Sequence, residues 1–278
     1  MNNHTAPPLV LALSATDPTG GAGLQADVLT LAANACHPLG VTTAISTQDT
    51  LGVMHVKPIS ASLLRWQCDY LLDDLVAPLA ACKIGLLASA ENVETTVNVV
   101  SRLKRKHPEL TVVCDPVLAS GRGDDLADEP TLKTLCASLL QLVTVLTPNT
   151  LETALLAQCL DSCCDSSTNS ETQAGILLAA GCKGVVLTGT HRDAPVIEHT
   201  YYGHDGARWS LTCERMAGEY HGTGCTFAAA LTAKLAWGLA LYPAIQAAQD
   251  YTYATIQHAF TLGRGQLIPQ RMYHLETP

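Results

Sequence analysis

The chain has 278 residues, of which 47% are hydrophobic and 15% are charged. A chain of this length buries roughly three quarters of its unfolded surface without a disulfide or metal, and this composition excludes disorder over most of its length. Sixteen basic and 25 acidic residues give a formal net charge of −9, which argues against a partner that is nucleic acid. Backbone amides can still bind a small phosphorylated ligand.

Short apolar runs alternate with longer segments of helical period along the first two thirds of the chain. The predicted strands are 9–15, 40–47, 81–87, 110–114, 143–146 and 184–188. The predicted helices between them are 24–34, 61–75, 92–106, 131–140, 150–159 and 171–180. This alternation predicts an α/β fold of three layers, in which helices cover both faces of a mostly parallel central sheet.

The pattern changes after Thr188. Segments 196–202 and 208–212 flank His204-Asp205-Gly206, which is a turn signal and predicts a hairpin at an antiparallel edge. Helices are predicted at 223–239 and 242–261, and a polar surface loop at 161–170. No linker or repeat divides the chain, so we expect a single domain over residues 1–278.

Targeting signals are not apparent in the sequence. Residues 1–8 carry no Lys or Arg, and no run reaches the eighteen apolar residues of a membrane span. The eleven cysteines are odd in number, and the cluster Cys159, Cys163 and Cys164 lacks the paired spacing and histidines of zinc motifs. We therefore expect a cytoplasmic protein with ordinary thiols and no membrane partner.

Ligands of open α/β sheets bind where strands end and helices begin, and three such loops carry unusual residues. The first follows the first strand, and its Gly20, Gly21 and Gly23 let the backbone approach a ligand closely. It also fits a G-x-G-x-x-A dinucleotide fingerprint, with Asp49 near the place of a ribose-binding acid. An oxidoreductase and a plain tight turn remain alternatives for this loop.

The second loop opens the most apolar helix. Gly222, Thr223 and Gly224 would present backbone amides at a helix N-terminus, where the helix dipole favours a phosphoryl group. Cys225 follows them, and we expect the dipole to lower its thiol pKa from about 8.5 towards neutrality, so that a thiolate could accept a proton from a hydroxyl. The alternative is a glycine-rich turn beside a buried cysteine.

The third feature is a pair of acids at the ends of two predicted strands. Asp115 and Glu152 would face one crevice if their strands are neighbours, and carboxylates suit a Mg²⁺ ion that bridges nucleotide phosphates. The alternative for Glu152 is helix capping together with Asn149 or Thr150.

Six segments form a longer pattern in chain order. They are Thr16-Asp17-Pro18-Thr19-Gly20-Gly21-Ala22-Gly23-Leu24-Gln25-Ala26-Asp27, Gln48-Asp49-Thr50, Lys83-Ile84-Gly85-Leu86-Leu87, Asp115-Pro116-Val117, Thr147-Pro148-Asn149 and His221-Gly222-Thr223-Gly224-Cys225-Thr226. Together they resemble the hydroxymethylpyrimidine and phosphomethylpyrimidine kinases of thiamine biosynthesis, within the ribokinase-like superfamily. The resemblance runs from about residue 9 to about residue 265, and its middle segments are shared with pyridoxal kinases.

The resemblance implies a role for each matching position. Cys225 takes the place of the general-base Asp of ribokinase relatives, and Gly222, Thr223 and Gly224 take that of the anion hole. The residues implied for the pyrimidine pocket are Asp27, Gln48, Gly20 and Gly21. Those implied for the nucleotide and for Mg²⁺ are Asn149, Thr188, Gly189, Asp115 and Glu152. The carboxamide of Gln48 can accept from an exocyclic amine while it donates to the adjacent ring nitrogen.

The sequence departs from the family pattern at two lysines. No cation precedes Gly189 at the end of the late strand, and Ala119 stands where a Lys commonly precedes Ser120-Gly121. A missing cation weakens stabilisation of a transferred phosphoryl group. We hypothesise that Arg122 supplies this charge and grips the phosphorylated substrate; the alternative is a solvated charge on a surface loop.

The resemblance therefore implies a kinase that uses ATP and Mg²⁺ to phosphorylate 4-amino-5-hydroxymethyl-2-methylpyrimidine and then its monophosphate. It also implies a homodimer. A pyridoxal kinase and a non-catalytic protein that binds a pyrimidine remain the alternatives.

Overall fold

A computed structural model describes residues 6–119, 126–165, 168–189 and 195–275. In these ranges the strands β1 to β9 are, in chain order, Leu9–Thr16, His37–Asp49, Gly52–Pro58, Leu79–Ile84, Thr111–Cys114, Val145–Leu146, Gly184–Thr188, Val196–Gly203 and Arg208–Glu214. The helices α1 to α8 are Gly23–Ala33, Ala61–Asp74, Ala90–Lys106, Glu129–Thr134, Thr150–Leu160, Ser170–Ala179, Thr223–Ala236 and Leu241–Gln257.

The strands form one sheet in the order β3-β2-β1-β4-β5-β6-β7-β8-β9. The strands from β2 to β7 in this order pair in parallel, while β8 and β9 are antiparallel. The predicted parallel sheet and its antiparallel edge are therefore confirmed. Parallel strands all point the same way, so their loops into helices gather at one edge of the sheet.

Side chains that alternate along the central strands build a core on each face of the sheet. In β1, Leu11 and Leu13 pack with α2 and α3, whereas Val10 and Ala12 pack with Leu31 of α1 and with α7. The strands are therefore apolar on both faces, which is typical of a parallel sheet between two layers of helices. The predicted three-layer arrangement is confirmed.

The structure corrects several predicted boundaries. Strand β3 was not predicted, because its residues do not alternate regularly in polarity and none of them is buried; it pairs antiparallel to the end of β2. The helix predicted at 131–140 is regular only over Glu129–Thr134 and continues through a π-helical turn at Leu135–Leu139. The last helix ends at Gln257, four residues before the predicted end.

The eleven cysteines are free thiols, and eight of them are buried. In the part of the chain that the structure describes, no three potential ligands among His, Cys, Asp and Glu are grouped to hold a metal ion. None of the described helices has both the length and the apolar character needed to cross a membrane.

Candidate functional site

A cavity of about 350 Å³ opens where the parallel strands end. Its walls come from the ends of β1, β5, β6 and β7 and from the first turn of α7. The lining residues include Asp17, Gln48, Asp115, Asn149, Glu152, Thr188, His199, His221, Gly222, Thr223, Gly224 and Cys225. The structure therefore brings the residues predicted for the anion hole and both predicted metal ligands to one cavity.

The turn at residues 221–224, called the α7 turn below, packs against residues 17–23, called the Asp17 loop. A Cβ atom on Gly222 would lie 2.0 Å from the carbonyl oxygen of Gly21, and its φ of +75° is in the left-handed region. Only glycine fits there. No side chain caps this helix end, and the first amides of a helix have no partner within the helix, so the amides of Thr223, Gly224 and Cys225 suit an anion.

Asp17 and His221 join the two segments at the edge of the cavity. The Nε2–H of His221 donates to Oδ2 of Asp17 at 2.8 Å, and the same carboxylate accepts from the backbone N–H groups of Thr19 and Ala22 at 2.8 and 2.7 Å. Burial raises the pKa of Asp17, but the hydrogen bonds from His221 and Thr19 outweigh it and hold the pKa below its ordinary value. Asp17 is therefore ionised.

Cys225 lies in the first turn of α7, but the expectation of a lowered thiol pKa is wrong. Burial raises the pKa of Cys225 to about 12, and the negative charges of Asp115 and Asp27 add to this effect while Lys83 opposes it. The helix dipole, worth about half a charge, does not offset burial and two nearby carboxylates. The resting form is a thiol, which receives a hydrogen bond from the backbone of Gly23.

Asp27 does not lie on the cavity wall, in contrast to the expectation of a direct pyrimidine contact. Its Oδ2 atom is 2.9 Å from Nζ of Lys83, and both side chains are fully buried. Burial raises the pKa of Asp27 although Lys83 opposes it, whereas the pKa of Lys83 rises because Asp27, Cys225 and Asp115 outweigh its burial. The Asp27–Lys83 pair thus lies behind the cavity and acts on Cys225 and Asp115 through its charges.

Asp115, which follows β5, and Glu152, in the first turn of α5 after β6, both line the cavity, as predicted for acids that follow neighbouring strands. Glu152 accepts from the backbone N–H groups of Asn149 and Leu118 at 2.9 and 3.2 Å. Burial raises the pKa of Asp115 to about 6, and burial together with Asp115 raises the pKa of Glu152 to about 7. The protein alone therefore leaves two carboxylates in electrostatic conflict.

The capping alternative for Asn149 and Glu152 is confirmed. The side chain of Asn149 accepts from the backbone N–H groups of Leu151 and Glu152 at 2.9 Å. The carboxylate of Glu152 in turn accepts from the backbone N–H of Asn149, and the two interactions form a capping box. Both side chains still line the cavity. Their roles with nucleotide and Mg²⁺ stay predictions.

Thr188 and His199 line the far end of the cavity, where β7 pairs with β8. Burial lowers the pKa of His199 to about 4, so its ring is neutral, and it stacks on Phe227 with ring centroids 5.0 Å apart. Gly189 is not among the lining residues. A Cβ atom there would lie 2.2 Å from the carbonyl oxygen of Glu198, so Gly189 permits close packing of β8.

Gln48 lines the other end of the cavity, near the β2–β3 turn. The pairing of β2 with β3 shifts register between Thr47 and Gln48; such a bulge re-aims a side chain. Gly20 and Gly21 are in the Asp17 loop but not among the lining residues, where Ala22 and Gly23 stand instead. Arg122 lies outside the described residues, so its role stays a prediction.

Comparisons with known proteins agree with this geometry. The family model described as phosphomethylpyrimidine kinase matches residues 17–270. The chain belongs to the phosphomethylpyrimidine kinase family. A hydroxymethylpyrimidine/phosphomethylpyrimidine kinase of Staphylococcus aureus (strain MRSA252) is 33% identical over 264 residues, which are 94% of this chain and 92% of that protein. One of Haemophilus influenzae is 33% identical over 260 residues, 92% of this chain and 93% of that protein.

Two solved kinase structures share the fold of this chain. A pyridoxal kinase from Staphylococcus aureus in complex with pyridoxal superposes with a TM-score of 0.83 at 25% identity, covering 97% of this chain and 95% of that one. A phosphomethylpyrimidine kinase from Clostridium difficile 630 superposes with a TM-score of 0.72 at 26% identity, covering 90% and 99%. The predicted family and its phosphotransferase activity are confirmed.

Four residues in or directly behind the cavity were given no role in the sequence analysis. Asp17 and His221 stand within the matched segments, but one sequence cannot show that residues 204 positions apart form a pair. Lys83 lies inside a buried strand, and a lysine there is a signal for a buried ion pair. Arg271 lies beyond the matched segments and carries no motif.

The Asp17–His221 contact gives a pH-dependent contribution to the stability of the kinase. Replacing Asp17 with Asn should lower the free energy of unfolding at pH 7 by about 2 kcal/mol, because an ionised acceptor of several hydrogen bonds is lost. The folded-state pKa lies below the ordinary one, so this stabilisation is present above about pH 4 and is lost as the pH falls further. Urea unfolding at pH 7 and pH 3 measures the difference.

The control is Asp74→Asn, at an exposed aspartate at the end of α2. It should change the free energy of unfolding little at either pH. An Asp17→Asn protein whose deficit stays the same at pH 3 would contradict the prediction.

Proposed function

We propose that this protein transfers the γ-phosphoryl group of ATP to 4-amino-5-hydroxymethyl-2-methylpyrimidine and then to its monophosphate, as part of thiamine biosynthesis. The observation that carries the proposal is the meeting of three features in one cavity. These are the first amides of α7, which no side chain caps, the sulfur of Cys225 and the carboxylates of Asp115 and Glu152. Phosphoryl transfer depends mostly on positioning and on stabilising charge, and this cavity provides both.

The pyrimidine would bind between Gln48 and the Asp17 loop. Gln48 presents one acceptor and two donors, which match the exocyclic amine and the adjacent ring nitrogen of an aminopyrimidine. Gly23 and Ala22 supply close backbone at the same end of the cavity. The hydroxymethyl group would then point towards Cys225.

The nucleotide would occupy the other end of the cavity, along Asn149, Thr188 and His199. The residues present there fit Mg²⁺, because two buried carboxylates in conflict gain from a cation, and Mg²⁺ takes one or two carboxylates together with phosphates and water. Asp115 and Glu152 would hold it. When bound, Mg²⁺ supplies charge stabilisation to the phosphates.

In the proposed step, the substrate hydroxyl oxygen forms a bond to the γ-phosphorus as the bond between that phosphorus and the β-phosphate oxygen breaks. The hydroxyl proton passes to the sulfur of Cys225, and the amides of the α7 turn hold the charge on the phosphoryl oxygens. This role requires the thiolate, so the resting thiol first loses its own proton to solvent as the site is loaded. Asp115 is one of the groups that raise the thiol pKa, so neutralising Asp115 in the loaded site favours the thiolate.

Arg122 is proposed to grip the phosphate of the monophosphate substrate. The enzyme is further proposed to act in the cytoplasm as a homodimer, as the family resemblance implies.

Pyridoxal is the second candidate substrate. The superposition on a pyridoxal kinase bound to pyridoxal favours it, with a TM-score of 0.83. Pyridoxal also carries a hydroxymethyl group on an aromatic nitrogen ring, so the same cavity chemistry applies.

ADP release in a coupled assay separates the candidates. The pyrimidine alcohol and its monophosphate should each give Mg²⁺-dependent ADP release, with pyridoxal turned over more slowly. Faster turnover of pyridoxal than of both pyrimidines would replace the proposed substrate. Binding of the pyrimidine without ADP release from any substrate would indicate a non-catalytic protein.

Cys225→Ser should lower kcat by about 100-fold or more, because a serine hydroxyl is a far weaker proton acceptor than a thiolate. Calorimetry should show pyrimidine affinity close to that of the wild type. The control is Cys36→Ser, at a buried cysteine whose S–H contacts the carbonyl of Ala233 near the other end of α7. Turnover retained in Cys225→Ser would refute its assignment as the base.

Gln48→Glu should lower kcat/KM for the aminopyrimidine by about 10- to 100-fold, mainly through KM. A carboxylate keeps the acceptor for the exocyclic amine but loses the donor to the ring nitrogen. Asp49→Asn, at the neighbouring exposed position of β2, is the control. Steady-state kinetics for both variants check the effect, and an unchanged KM in Gln48→Glu would remove Gln48 from substrate recognition.

A further inference from the structure

Arg271 is a buried arginine near the C-terminal end of the chain. Arg271 is only 2% exposed, although it lies in a turn beyond the last helix. The O–H of Tyr251 donates to the backbone carbonyl of Arg271 at 2.8 Å, and the backbone N–H of Gln270 donates to the carbonyl of Thr255 at 2.9 Å. Helix α8 therefore fixes this segment on the inside of the protein.

The guanidinium group joins the Asp17 loop to the α7 turn. It donates to the backbone carbonyls of Gly20 and Gly21 at 3.1 and 2.5 Å and, at 3.5 Å, to the carbonyl of Gly222. Its Nε–H donates to the hydroxyl of Thr226 at 3.0 Å, and that hydroxyl donates to the carbonyl of Gly222 at 2.8 Å. Since the carbonyls are held from behind, the orientation of these peptide groups is fixed.

The charge of Arg271 has no carboxylate partner among the residues that the structure describes. None of the ion pairs among the described residues includes Arg271. Burial lowers its pKa while Cys225, Tyr251, Asp27 and Asp17 oppose that effect, and a guanidinium stays protonated in proteins. A buried cation without an ion pair is costly, and an anion bound at the α7 turn would offset the cost.

We propose that Arg271 is a positioning residue for phosphoryl transfer, which fixes the Asp17 loop against the α7 turn and places a positive charge behind the phosphate-binding amides. The proposal rests on the proposed kinase function and goes beyond it. The charge of Arg271 lies behind the amides and is separate from that of Arg122, which is proposed to grip the phosphorylated substrate.

The Asp17–His221 contact makes this role separable from folding. It connects the same two segments at 2.8 Å on the cavity side, independently of Arg271. Loss of the guanidinium should therefore leave the segments joined but less well oriented. We expect the larger loss in kcat and a smaller loss in the affinity for the pyrimidine, because Arg271 orients the Asp17 loop but forms no hydrogen bond with Gln48 on β2 in the described part of the chain.

The test compares Arg271→Met and Arg271→Lys in the full chain. Met removes the charge and the hydrogen bonds, and its kcat should fall by about 100-fold, similar to the loss of one oxyanion-hole donor. Lys keeps the charge but not the fork of donors, and its kcat should fall by about 10-fold. Millimolar guanidinium chloride should restore part of the kcat of Arg271→Met, and should not raise that of the wild type.

A kcat of Arg271→Met close to that of the wild type would overturn the proposal, as would a loss of pyrimidine affinity that exceeds the loss in kcat and does not respond to guanidinium. If Arg271→Met does not fold, Arg271→Lys decides: a kcat reduced by more than the pyrimidine affinity supports the proposal, and a wild-type kcat overturns it.

A wild-type protein that releases no ADP would refute the proposed function instead. The proposal on Arg271 is then tested by thermal unfolding with inorganic phosphate. Phosphate should raise the unfolding temperature of the wild type but not that of Arg271→Met. If Arg271→Met does not fold, phosphate should stabilise Arg271→Lys less than the wild type. Equal stabilisation would overturn the proposal.

Discussion

The site depends on the contact between the Asp17 loop and the α7 turn. The peptide of Gly21 lies so near Gly222 that no Cβ atom fits between them, and the φ of Gly222 lets α7 begin at that point. His221 and Asp17 close the contact on one side, and Arg271 closes it on the other. The approach of these two segments is what places helix amides next to the ends of the parallel strands.

Charge around the cavity is arranged in two layers. Asp17, Asp115 and Glu152 reach the cavity, whereas Asp27 and Lys83 are buried behind it. The charges of Asp27 and Lys83 nearly cancel, whereas the residues at the cavity have an excess of negative charge. Together with burial, this excess raises the pKa values of Glu152 and Cys225. A cation held by Asp115 and Glu152, as proposed above, would relieve this excess of negative charge.

The sequence predicted the layers, the parallel core and the loops that meet at the cavity, because apolar period and glycine spacing are local signals. It did not predict β3, which has no fully buried face, or the pairing of Asp17 with His221, which requires the fold. The lowered pKa expected for Cys225 was wrong because helix position is visible in sequence and burial beside Asp115 is not. The burial of Asp27 against Lys83 was missed for the same reason.

The irregular pairing at the end of β2 sets Gln48 apart from the other cavity residues. Gln48 reaches the cavity through a local offset in an edge hairpin, while the amides, the sulfur and the acids belong to the rigid interior. A single insertion or deletion in that hairpin would exchange the side chain at the position of Gln48 and leave the α7 turn and the two acids in place. With the role proposed for Gln48, the same fold could change its substrate specificity through this hairpin alone.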